Sequence, residues 1–363
     1  MKNRYAAHGL LYLLNKRLGT TEEASKVVPE QVESEALRQI YLITKALEIC
    51  LPLNFPSLCA RLLEERQSAI SNTCISCNKV RVANLYNSKL FQGWYHISVN
   101  KLQEAVVFLE QAEELNRDLP DAYILHGNIL FQLEDFENAR EMYQRALSMW
   151  DKAKNTESVW MVSIGDFQYH RMLSRLSTLY LGDGEFGKAK QLFLRLCSLW
   201  PSCTSWVGVG AACLHNGELK QALDAFSEAN IIDRKNPEVW GYLALTCHRM
   251  HSAGHKDFSK LSKRSFDQAL GLGLSDPKML QELGACFMDG GNLTLAEKAL
   301  EKSVALSPTF SAKMKLATTL LMKNQYEHAL KVVNGLQIQS AEEKQELVAF
   351  SNLFKSRKPQ FAQ

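Results

Sequence analysis

Long apolar runs are missing from this sequence. None approaches the roughly 18 residues that a membrane-spanning helix needs, so no bilayer span is expected. Proline is scarce, at nine residues in 363, and β-branched runs are rare; Leu, Ala, Glu, Lys and Gln are common. That composition disfavours a sheet and favours one continuous helical object. A large excess of one charge sign is also lacking. The formal net charge is +3, without the basic stripe of a nucleic-acid-binding domain, so no nucleic-acid partner is expected. Near the N-terminus, Lys2 and Arg4 precede an apolar stretch from Leu10 to Leu14. It is too short for a secretory signal, and Asn15-Lys16-Arg17 follows at once. The nine cysteines are odd in number, scattered, and set in helical apolar patterns, as reduced buried thiols are. A cytosolic or cytoskeletal location is expected.

Catalytic signatures are missing too. There is no G-x-S-x-G elbow, phosphate-binding glycine loop, H-E-x-x-H pair or kinase motif set. The expected chain is non-catalytic and needs no cofactor. Cys74-Ile-Ser-Cys77 has the spacing of half a zinc site, but neither a second such pair nor a nearby histidine completes it. His248, His251 and His255 would share one face of an unbroken helix, yet Gly254 and an insertion interrupt it. No metal site is expected at either place.

What is present is a repeat. Gly93 and Gly127 are 34 residues apart, as are Ala105 and Ala139, Leu109 and Tyr143, and Ala112 and Ala146. The segments L-Q-E-A-V-V-F-L-E-Q-A and F-E-N-A-R-E-M-Y-Q-R-A vary one theme, which returns at 186–196, 219–229, 293–303 and 326–336. Each unit reads as two antiparallel helices joined by a tight turn, as at Asp183-Gly184, Asn216-Gly217 and Gly290-Gly291. A small residue in the first helix admits the second helix, and one pair cannot bury its apolar face without stacked neighbours. These residues resemble the tetratricopeptide repeat (TPR) pattern. The resemblance implies an all-α superhelical solenoid of antiparallel helix pairs.

About seven units are expected across 86–342, bounded at 86–119, 120–153, 170–202, 203–236, 237–276, 277–309 and 310–342. Insertions interrupt them near 154–169 and near 251–259. Residues 1–85 read as a divergent helical cap with degenerate repeat character, with Ala36, Ile40, Ile43 and Leu47 at helical spacing. Residues 343–363 read as a closing helix followed by a basic tail. Trp206 and Trp240 are read as core residues.

The stretch C-T-S-W-V-G-V-G-A-A-C…S-E-A-N-I-I-D…N-P-E-V-W-G-Y-L-A-L-T-C (203–247) is more particular than a generic repeat. It is similar to the C-terminal TPR region of the cilia- and flagella-associated protein seventy family. That similarity implies a scaffold of the motile cilium, in the central apparatus or at outer dynein arm attachment, with axonemal proteins or tubulin as partners. The family pattern also carries a non-TPR N-terminal part, which residues 1–85 do not show. The alternative is a cytosolic TPR adaptor of a ubiquitin-ligase or trafficking complex.

In a TPR array the concave groove is lined from the first helices. The repeat frame places Leu90, Trp94, Ile124, Asn128, Phe131, Ser174, Thr178, Val207 and Ala211 there, and Met314 and Thr318 in the last unit. The Lys, Arg and Asn set with which chaperone-adaptor TPRs grip a carboxylate is matched only at Asn128, so an apolar groove for a peptide or helix is expected. The chain's own terminal helices could equally fill it. The second insertion carries Arg249, Lys256, Lys260, Lys263 and Arg264 against one acid, Asp257, and would suit an acidic partner such as a tubulin tail.

Overall fold

The computed structural model describes residues 35–73, 78–153, 165–255, 258–334, 336 and 340–357. Among these residues there are seventeen α-helices and no strand, so the fold is all-α. By contact the chain divides into two compact units, residues 1–179 and 180–363.

The first unit contains α1 (Glu35–Cys50), α2 (Pro56–Ser71), α3 (Asn78–Ser98), α4 (Leu102–Leu115), α5 (Pro120–Gln132), α6 (Phe136–Ala153) and most of α7 (Gly165–Gly182). The second contains α8 (Phe186–Leu199), α9 (Cys203–His215), α10 (Leu219–Ile232), α11 (Pro237–Ser252), α12 (Phe258–Gly271), α13 (Pro277–Asp289), α14 (Leu293–Leu306), α15 (Phe310–Met322), α16 (Tyr326–Val333) and α17 (Ala341–Arg357). Within each unit most helices pack on the next in sequence, and the short connections make these neighbours antiparallel.

Local chemistry starts and stops the helices. Pro120, Pro237 and Pro277 open theirs, where a missing N–H costs nothing. The Ser202 hydroxyl accepts from the Ser205 amide while the Ser205 hydroxyl accepts from the Ser202 amide, a reciprocal cap at the start of α9. Asn236 and Asp276 cap α11 and α13 through the amides of Glu238 and Lys278, each at 2.9 Å. Three-residue turns then reverse the chain, and their middle residue is left-handed: Gly184, Gly217 and Gly291, but equally Glu134 and Asn324. The turn geometry therefore holds even where no glycine marks it.

The 34-residue interval has a steric cause. Gly93 lies against Leu109, Gly127 against Tyr143, Gly210 against Phe226 and Gly284 against Leu300, each pair sixteen residues apart. A Cβ added to these glycines would come within 2.8, 2.6, 2.5 and 2.5 Å of the facing side chain. The large partner is completely buried each time, so the absent methyl is what lets the second helix close on the first. The small residues of the second helix, Ala105, Ala112, Ala139, Ala146, Ala222 and Ala229, are buried as well. Where serine replaces alanine, its hydroxyl finds a carbonyl: Ser262 donates to Ala244 and Ser303 to Pro277, both at 2.8 Å.

The fifth repeat shows where extra residues go. α11 has 16 residues against 13 in α9 and α13, so three of them lengthen the first helix. Its connection, residues 253–257, is two residues longer than the 216–218 turn. Two tryptophans depart from their expected place. Trp206 and Trp240 are half-buried, and the Trp240 indole donates to the Arg234 carbonyl at 2.8 Å, covering the connection between α10 and α11. Tryptophan's polar ring N–H makes such a rim position more favourable than the deep core.

In the first unit α1 packs on α2 and α2 on α3, around Ile40, Ile43, Leu47 and Leu62. Arg66 sits among them at 1 % exposure. Its Nε donates to the Thr44 hydroxyl at 3.0 Å, Nη1 to the Ser88 hydroxyl, and Nη2 to the Asn84 side-chain oxygen at 3.1 Å. All three acceptors are neutral, and burial lowers the guanidinium pKa to about 9. At the other end of the chain, Phe350 of α17 joins the buried cluster of Met314, Leu316, Leu320 and Ala329.

Candidate functional site

The structure distributes the candidate groove residues between the two units and buries many of them. Leu90, Trp94 and Ile124 in the first unit and Ala211 in the second are buried; Phe131, Ser174 and Val207 are half-buried, and Thr178 is exposed. At the last repeat the groove positions Met314 and Thr318 of α15 face α17. They share a cavity of about 340 Å³ with Met288, Lys315, Glu346 and Phe350. Here the closing helix of the chain lies over the surface that the repeat frame assigns to a partner.

Asn128 is the centre of a polar junction that joins three helices. Its Oδ1 accepts from the Tyr143 hydroxyl of α6 at 2.9 Å and from Arg175 Nη1 of α7 at 2.9 Å. Its Nδ2 donates to Gln168 Oε1 of α7 at 3.1 Å. Asn128, Tyr143 and Gln168 are all buried. The amide is thus consumed within the protein, and burial pushes the Tyr143 hydroxyl up, against the opposing effect of the Arg175 bond. The Arg175 guanidinium stacks over Phe131, 4.5 Å from the ring centroid.

One turn before Arg175, Arg171 lies over Phe167 at 5.2 Å from the centroid. Burial lowers its pKa, and the Arg175 charge lowers it further. No carboxylate pairs with either arginine among the described residues. In the sequence their one signal is the i, i+4 pair in R-M-L-S-R, four residues apart on a first helix and therefore on one face.

The basic insertion resolves into two sets. Arg249, at the end of α11, forms an ion pair with Glu282 of α13. Lys260, Lys263 and Arg264 are exposed along α12, while Lys256 lies outside the described residues. His248 is buried edge-on to Phe287, with ring centroids 5.3 Å apart, and packs against Gly290. Burial lowers its pKa first, and His251 adds to the shift. His255 falls beyond the end of α11, so the three histidines do not share a helical face. Cys74 and Cys77 lie outside the described residues. Burial raises the pKa of Cys59 and Cys247 to about 11, so these thiols are poor nucleophiles.

No helix among the described residues is long and apolar enough to cross a membrane. Comparison with known proteins supplies the kinship. Human cilia- and flagella-associated protein 70 is 34% identical over 152 residues, which is 42% of this chain and 12% of that protein. The protein of the same name from Macaca fascicularis is 45% identical over 80 residues, 22% of this chain and 8% of the relative. The chain thus spans a small part of the curated relatives it matches. Among solved structures, the APC/C hetero-tetramer Cut9–Hcn1 aligns with 80% of this chain and 54% of its own, at 18% identity and a TM-score of 0.44. The family model for the cilia and flagella-associated protein 70 C-terminal domain matches residues 63–349, most of the length, so this TPR chain belongs to that family.

Proposed function

We propose that the chain is a non-catalytic protein-interaction scaffold of the motile cilium, built into the axoneme at the central apparatus or at outer dynein arm attachment. The observation that carries this reading is the family match over residues 63–349, laid on a fold whose described residues are stacked helix pairs. Such arrays present extended surfaces to other proteins. The partners are axonemal proteins, with tubulin among the candidates for the exposed Lys260, Lys263 and Arg264. A tagged copy in ciliated cells should fractionate with detergent-extracted axonemes and bring axonemal proteins down with it. A diffuse distribution, with only soluble cytosolic partners recovered, would sink the proposal in favour of a cytosolic adaptor. Turnover of a substrate by the isolated chain would overturn its non-catalytic part.

A further inference from the structure

We infer that Arg171 and Arg175, on the face of α7 turned to Asn128 and Phe131, form a binding site for an acidic peptide segment of a partner protein, in which a carboxylate lies beside an apolar side chain. The inference rests on the scaffold reading and names the chemistry of one of its contacts.

Geometry carries it. Arg175 is anchored through Nη1 alone, to Asn128 and Tyr143; its Nε and Nη2 carry no hydrogen bond among the described residues. Arg171 makes no hydrogen bond or ion pair there and lies over the Phe167 ring. Two guanidinium groups one helical turn apart repel each other, and like charges at that spacing destabilise a helix. Among the described residues no carboxylate offsets the cost here. Three other cations at helix–helix contacts have carboxylates, Lys190 with Glu218, Arg249 with Glu282 and Lys323 with Glu297, and the buried Arg66 has three neutral acceptors.

The surroundings select the ligand. Guanidinium is planar and presents paired N–H groups that match a carboxylate, and the fixed Asn128–Tyr143 contact holds one of the two forks in place before binding. Phe131 is half-buried and Phe167 is 63% exposed, so an aromatic surface flanks the two charges. A nucleic acid would call for a longer basic track than two arginines in a chain of net charge +3. An acidic residue next to an apolar one satisfies both halves of the site.

The test uses the full chain and a labelled peptide of alternating glutamate and leucine, with a glutamine–leucine peptide for comparison, read by fluorescence anisotropy. The glutamate peptide should bind and the glutamine peptide should bind at least about tenfold more weakly, as loss of a charge-assisted bond implies. Arg171→Gln should weaken the glutamate peptide by about the same factor, and Arg171→Lys, which keeps charge but loses the fork, by less. Lys263→Gln, on the other exposed basic surface, should leave binding unchanged. Equal binding of the two peptides, or equal losses in the Arg171 and Lys263 variants, would overturn the site. So would Arg171-dependent binding of single-stranded RNA or phosphatidylserine vesicles without binding of the glutamate peptide. Axonemal capture that persists undiminished in Arg171→Gln would remove this site and leave the scaffold reading standing.

Discussion

Both units fit glycines against large side chains, but the first adds deeply buried polar junctions between its helices, while the second buries mainly small hydroxyls. Residues 1–179 bury Arg66, Asn84, Asn128 and Gln168, and the hydrogen bonds of these groups run between helices. Residues 180–363 bury mainly small hydroxyls: Thr246 and Thr319 donate to Tyr242 and Lys315, four residues back in their own helices, and Ser262 and Ser303 reach single carbonyls across a helix contact. In the second unit the closest helix contacts are those of glycine with a large side chain, Gly210 with Phe226 and Gly284 with Leu300. The first unit uses the same device at Gly127 and Tyr143, then adds a hydroxyl that reaches Asn128. Apolar fitting needs only the right volumes and so repeats easily. A polar junction needs particular partners, and it is where the two units diverge.

Phe226→Ala empties the space that Gly210 opens, and should cost about 3–5 kcal/mol in the second unit. Hydrogen exchange read separately over the two units should show the loss of protection centred on α9 and α10; equal loss in both would mean that the chain unfolds as one block. Arg66→Met attacks the first unit. It removes a cation with only neutral partners and orphans part of the capacity of Thr44, Ser88 and Asn84, which should cost about 1–3 kcal/mol in urea unfolding. An unchanged midpoint would show that relieving the buried charge outweighs the lost bonds.

Acid should separate the units in another way. The folded pKa of His248 is depressed, so above the ordinary histidine value the ring is neutral in both states and contributes no pH dependence. As pH falls below that value the unfolded chain takes up the proton first, and stability declines. The loss should fall on α11–α14, and His248→Gln should reduce it when urea midpoints at neutral pH and at about pH 5 are compared. The smallest effect is expected at Glu134, whose φ of +62° is one that glycine adopts freely. Glu134→Gly should raise stability by about 0.5–1 kcal/mol, whereas the same position in the second unit, Gly217, offers no such gain. A loss on Glu134→Gly would show that the Glu134 side chain contributes more than the turn strain costs.

Much of this molecule is legible from residue types at fixed intervals. The Gly–Ala–aromatic spacing announces helix pairs because steric exclusion acts between positions sixteen residues apart within one repeat, and that register survives in the chain order. The second insertion is equally visible, although only the structure shows that three of its residues extend α11 and bring Arg249 to Glu282. The tryptophans misled for a simple reason: Trp206 and Trp240 occupy positions with apolar periodicity, and periodicity does not tell a core from its rim. Arg66 escaped notice because a lone arginine in a helical pattern normally lies in solvent.

By itself the sequence determined the all-α repeat, its period and its family, since these depend on contacts within and between adjacent helices. Tertiary structure decided which polar groups meet. Asn128, Tyr143, Gln168 and Arg175 come from three helices and as many as 47 residues of separation, and Arg66 joins α1 to α3 across 22 residues on either side. No local periodicity encodes such meetings, because a hydrogen bond depends on direction and distance that only the packed helices set.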